Sequence, residues 1–211
     1  EVKRLVDLRP DEFIGFAAVD PHDLEAPDKL EHAFADLDLR GLNLHPGRQR
    51  FYPMDGCVQG LYDICERYNR PVMFHTGMSW EPHTLAKYGR PVEFEELAET
   101  RPRLRFCLGH FGWPWLEEAA MLMVKHKNVY ADTGLLYFDS AREFYAHLFT
   151  RELPSTWIDR SLRHQVMFGS DSPRFEQIRM ARALDGLGLR ESTVELIRGA
   201  NALDFLNGLE Q

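Results

Sequence analysis

Three apolar runs of this chain end in residues able to hold a metal or move a proton: PVMFHTG leads into His75, LRFCLGH into His110 and HQVMFGSD into Asp171. A neutral imidazole is a common zinc ligand, and with an ordinary pKa of about 6.5 it also donates or accepts protons near neutrality. A carboxylate binds a divalent cation directly and accepts a proton from water bound to that cation. Each residue has a plainer reading too. His75 could be hydrogen-bonded in a turn, and Ser170 or Asp171 could cap the following helix. Their shared position favours chemistry, because five or six consecutive apolar residues read as a strand buried on both faces. A parallel α/β sheet presents the last residue of each such strand at its ligand-binding edge.

The elements that would position these residues alternate along the chain. Strands are expected at Phe13–Val19, Leu39–Leu44, Val72–Phe74, Leu104–Leu108, Val129–Ala131 and Val166–Phe168. Between and after them, helical periodicity covers 25–37, Cys57–Tyr68, Phe94–Thr100, Leu116–His126, Ser140–Phe149, Glu176–Leu184 and Ser192–Leu206. Six strands separated mostly by helices predict a parallel sheet, and right-handed crossovers curl such a sheet towards a barrel. The expected fold is α/β, a (β/α)8 TIM-like barrel with about six of its eight units in this chain. One domain over 1–211 is expected.

Composition narrows the function. The 211 residues are 44% hydrophobic, enough for a sizeable core, and carry a net charge of −8. That charge argues against binding a phosphate backbone, which depends on clustered Lys and Arg. No apolar stretch approaches the roughly 20 residues that span a bilayer, and EVKRLVDLRP has no signal-peptide core. Neither nucleic acid nor membrane is an expected partner. Cys57, Cys65 and Cys107 read as buried thiols, and a reducing cytoplasm is the default compartment.

The succession FIGFAAVDP, LRGLNLHPGRQRFYPMD, RPVMFHTG, RFCLGHFGWPW, NVYADTG, FGSDSP and RGANALDFL resembles the amidohydrolase-related branch of the amidohydrolase superfamily. That group contains aminocarboxymuconate-semialdehyde decarboxylase and its hydrolase and hydratase relatives. The resemblance covers nearly the whole chain. It implies that His75 is the fifth-strand metal ligand, that Asp171 is both ligand and proton acceptor, and that His110 is the sixth-strand histidine that contacts water or substrate. It also implies a His-x-His pair on the first strand, which this chain lacks: its nine histidines never fall two apart. The first strand here is similar to the family's third, so the first two strands are expected to precede Glu1 in a longer parent protein. Asn43 stands where many relatives carry a bridging lysine, which makes one metal the expectation.

Around these, Arg48 and Arg50 could pair with a substrate carboxylate, and Trp80, Trp113 and Trp115 could stack on a flat ring. Solvated loop arginines and packing tryptophans are equally good readings. Asp132 points to the same rim or caps a loop, and His45 and Asp55 are read as shaping their loop. The expected function is a divalent-metal enzyme, with zinc favoured, acting on a small carboxylated or aromatic-derived acid by hydrolysis, hydration or non-oxidative decarboxylation. The metal could be absent from this chain, since a catalytic zinc takes about three protein ligands and only His75, Asp171 and His110 are on offer. The alternatives are a metal-independent lactone hydrolase of the same fold and a non-catalytic barrel remnant. The oligomeric state is open, a homodimer included.

Overall fold

The computed structural model describes residues 1–134 and 140–208. Six parallel strands lie side by side in chain order: β1 Ala17–Ala18, β2 Leu42–Leu44, β3 Val72–Phe74, β4 Phe106–Leu108, β5 Val129–Asp132 and β6 Val166–Met167. Every neighbouring pair is joined through helical or turn segments, the connection that parallel pairing requires. The expected α/β class and parallel sheet hold. β1, β2, β4 and β6 are shorter than the apolar runs that announced them, β3 has the expected bounds, and β5 extends one residue further, to Asp132. β1 keeps only the residues that pair with Leu42 and Asn43, because it has a neighbour on one side alone.

In register, Leu42, Val72 and Phe106 align, as do Leu44, Phe74 and Leu108, and these side chains face the helical layer. Helix Gly56–Arg67 buries Val58, Leu61, Tyr62, Ile64 and Cys65 there, and helix Leu116–Lys125 buries Leu116, Ala119, Ala120, Leu122 and Met123. Phe74 is the hinge of this core, with Phe94 at 4.9 Å and Phe106 at 5.9 Å between ring centroids. Burying each such side chain contributes about 1.5–3 kcal/mol.

The alternate residues, Asn43, Met73, Cys107, Tyr130 and Met167, face the other way. Helix Asn201–Asn207 covers this second face, with Phe205 packed on Tyr130 at 5.1 Å. Arg105 fixes the end of that helix by donating to the carbonyl of Phe205 at 2.7 Å and to the side chain of Asn69. The single helix expected over Ser192–Leu206 is divided into Glu191–Glu195, a wide turn at Leu196–Ala200 and Asn201–Asn207. Helix Val2–Leu8 had no clear signal in the sequence, and it contributes no buried residue.

Candidate active site

The second face of the sheet opens, at the carboxyl ends of the strands, into a cavity of about 440 Å³. Alternation decides what lines it. Continuing the inward parity of Asn43, Met73, Cys107 and Met167 brings His45, His75, Gly109 and Asp171 to the opening, and Asp132 ends β5 on the same side. His75, His110 and Asp171, on three separate strand exits, thus converge on one rim.

His75 sits between two other imidazoles. Its ring stacks on His45 at 3.9 Å and 13°, and its Nδ1 lies 3.1 Å from Nε2 of His110. Burial, reinforced by His110 and His45, pushes His75 from 6.5 down to about 2, so its imidazole is neutral. Burial also lowers His45. Nδ1 of His45 accepts from the backbone N–H of Arg48 at 3.2 Å and so caps the short helix Pro46–Gln49. The loop-shaping role expected for His45 is therefore present, together with a place against His75 that was not anticipated. The signal was available, since His45 follows the apolar run LNL as His75 follows VMF.

His110 is held by its neighbours on both sides. Its backbone N–H donates to Oδ1 of Asp132 at 3.1 Å, and its Nδ1 makes a short hydrogen bond with the carbonyl of Gly134. His110 and Phe111 adopt φ of 58° and 50°, and Asp171 adopts 56°. Left-handed backbone in non-glycine residues carries strain and persists only where surrounding contacts enforce it. The Asp171 carboxyl is half-buried and receives no hydrogen bond from any described residue. Burial raises it above the usual carboxylate range, a shift partly offset by His110 and Arg174.

A proton count across this chain of contacts tests whether the residues suit a divalent metal. A carbonyl can only accept, so Nδ1 of His110 carries the proton that faces Gly134. Where Nε2 of His110 accepts from Nδ1–H of His75, the one proton between the two rings lies on His75. Nε2 of His75 is then left with a lone pair 3.3 Å from the carbonyl oxygen of Met78. Two acceptors face each other there, an arrangement that a cation relieves. The chemistry of His75 therefore fits a metal, with its second nitrogen engaged as metal-bound histidines usually require. The number of ligands does not reach a full set: among the described residues no three His, Cys, Asp or Glu side chains group as a metal site.

The other expected contacts lie elsewhere. Arg48 is 3.6 Å from Glu81, Arg50 ends the short helix at φ 58°, Trp80 is 45% exposed, and Trp113 packs 5.8 Å from Phe144. None of Arg48, Arg50, Trp80 and Trp113 is among the described residues that line the cavity. Its aromatic wall is built instead by Phe16 and Phe205, with Phe168 beside them at the β6 exit. No described helix is long and apolar enough to cross a membrane.

Comparison with known proteins places this geometry. The sequence model of the amidohydrolase family matches residues 3–208. No curated protein matches the chain. Among solved structures, an uncharacterized TIM-barrel protein from Bordetella bronchiseptica is similar at a TM-score of 0.80 and 21% identity, over 97% of this chain and 70% of that one. The 5-carboxyvanillate decarboxylase of Sphingomonas paucimobilis is similar at 0.71 and 18%, with the same coverage. A dihydroxybenzoic acid decarboxylase from Polaromonas, solved with bound manganese and the inhibitor 2-nitroresorcinol, is similar at 0.70 and 16%, over 99% of this chain and 73% of that one. At these identities the structural likeness establishes the fold, an incomplete (β/α)8 barrel with six strands. With the family match extending from the first helix to the last, the chain belongs to the amidohydrolase family.

Proposed function

We propose that the protein is a divalent-metal-dependent enzyme that removes a carboxyl group, without oxidation, from a small carboxylated aromatic acid. The observation that carries this reading is the meeting of His75, His110 and Asp171 in a cavity walled by phenylalanines. Its volume of about 440 Å³ suits a single substituted ring, which the aromatic wall would hold flat. The decarboxylases among the similar structures support the same class of substrate.

In this reading His75, through Nε2, and Asp171 would hold the metal, with further ligands supplied from outside the described set. When bound, a divalent metal polarises a substrate oxygen and lowers the pKa of bound water. The chain's own residues do the rest. Asp171, its carboxyl pushed above the usual carboxylate range by burial, can take a proton from water and pass it to the ring carbon losing its carboxyl group. His110, oriented through Gly134 and Asp132, stabilises the charge that develops on the substrate. The phenylalanines beside the cavity lower the local polarity and strengthen both interactions.

A metal-free lactone hydrolase remains a second reading, favoured by the absence of a three-ligand group among the described residues. Hydrolysis in the same centre would use Asp171 as base for water. Assaying the metal-replete protein for CO2 release from 2,6-dihydroxybenzoate and 5-carboxyvanillate, beside hydrolysis of a pyrone lactone, separates these. CO2 release that stops on chelation is expected. Chelator-insensitive lactone hydrolysis without CO2 release would overturn the proposal, and so would inactivity on every substrate.

A further inference from the structure

We propose that Asp132 is the positioning residue of this centre: its carboxylate holds the β4 and β5 exits together so that the His110 imidazole keeps one tautomer and one aim. The inference rests on the reading of His110 as a group that acts on substrate. Asp132 is 8% exposed, yet it forms no ion pair among the described residues. Its oxygens are occupied by backbone and thiol donors instead. Oδ1 accepts from His110 N–H at 3.1 Å and from Gly134 N–H at 2.8 Å, and Oδ2 accepts from the thiol of Cys107 at 3.6 Å. A buried carboxylate is retained at such cost only where several donors satisfy it.

The two Oδ1 contacts act on the same ring from both sides. One holds the backbone of His110 in its left-handed turn at φ 58°. The other holds Gly134, whose carbonyl receives the proton on Nδ1 of His110. With that proton on Nδ1, Nε2 of His110 is left facing Nδ1 of His75 at 3.1 Å. A single carboxylate therefore sets both the backbone and the ring of His110 against His75. The surroundings are built to admit it: a Cβ on Gly134 would stand 2.8 Å from Oδ1, and one on Gly169 would stand 3.0 Å from it. Asp132 commits both oxygens to the β4 and β5 exits rather than to substrate, so its effect should fall on turnover rather than on substrate affinity.

The test reads the tautomer directly. Long-range nitrogen–proton NMR spectra of the full chain, with His110 assigned by its own substitution, should show the Nδ1–H form in the wild type. Asp132→Ala should convert His110 to a mixture of tautomers or to the Nε2–H form, whereas Asp132→Asn, which keeps one acceptor oxygen, should restore Nδ1–H. With 2,6-dihydroxybenzoate, kcat of Asp132→Ala should fall about 100-fold with KM within about twofold, and Asp132→Asn should recover to within about tenfold. If Asp132→Ala does not fold, Gly134→Ala, which displaces the same oxygen, should give the same loss of tautomer. An unchanged His110 tautomer in the folded variant, or an Asn variant as impaired as the Ala variant, would overturn the proposal. Wild-type protein that decarboxylates nothing would instead sink the functional reading, and the tautomer comparison would still decide the role of Asp132.

Discussion

His75, held neutral by burial between His45 and His110, links the chemistry of the site to the stability of the fold. Its imidazole takes up a proton below about 6.5 when unfolded but resists protonation down to about 2 when folded. Between those values the unfolded chain binds more protons, so this contribution to stability is full above pH 6.5 and is lost as the pH falls. Thermal unfolding of the metal-free protein should therefore show a melting temperature that declines on acidification below about pH 6.5, and His75→Asn should flatten that decline. A slope identical in the two proteins would mean that His75 is not buried as described. Asp171 makes a separate prediction. Replacement with Asn keeps its size but removes the proton it moves, so kcat should fall well over tenfold, more than about 1.4 kcal/mol in barrier, with unfolding unchanged. A kcat within tenfold of wild type would reduce Asp171 to a turn residue.

At the scale of elements, strand exits carried most of what could be read in advance. VMF, RFCL and VMF again each end where a reactive side chain leaves the sheet, and the structure brings His75, His110 and Asp171 to one cavity as that pattern required. Four contacts assigned to loops, at Arg48, Arg50, Trp80 and Trp113, lie outside the cavity lining, because loop direction is set by tertiary packing that no periodicity encodes. The cradle around Asp132 was invisible for the same reason, being made of backbone N–H groups from two different exits. The β3 and β4 exits are also coupled through Gly77 and Met78. Gly77 adopts φ +73°, a Cβ there would lie 2.0 Å from the carbonyl oxygen of Trp113, and Met78 N–H donates to that same oxygen at 2.8 Å. Gly77→Ala should destabilise the protein by about 2 kcal/mol or more in chemical denaturation and lower activity with it. Tolerance of alanine would show that the two exits are not packed as described.

For the molecule as a whole, the second face of the sheet matters as much as the helical core. β1 and β6 are the two edges of the described sheet, and its inner residues are covered by Phe205, 2% exposed, on a helix that the sequence suggested only as part of a longer one. Phe205 both packs on Tyr130 and lines the cavity. Truncating it to Ala should cost about 3 kcal/mol of unfolding free energy and enlarge the cavity. The barrel architecture and family were legible from the order of seven short segments. The proton pattern that gives the cavity its chemistry depends on distances between segments up to 35 residues apart, as for His75 and His110.

The central claim is that His75 presents an open nitrogen to a divalent metal, and elemental analysis of the purified, metal-replete protein tests it most directly. About one equivalent of metal is expected in the wild type and a marked loss in His75→Ala, while His126→Ala, remote from the cavity, should retain the metal. No bound metal in the wild type, or full occupancy in His75→Ala, would contradict the account.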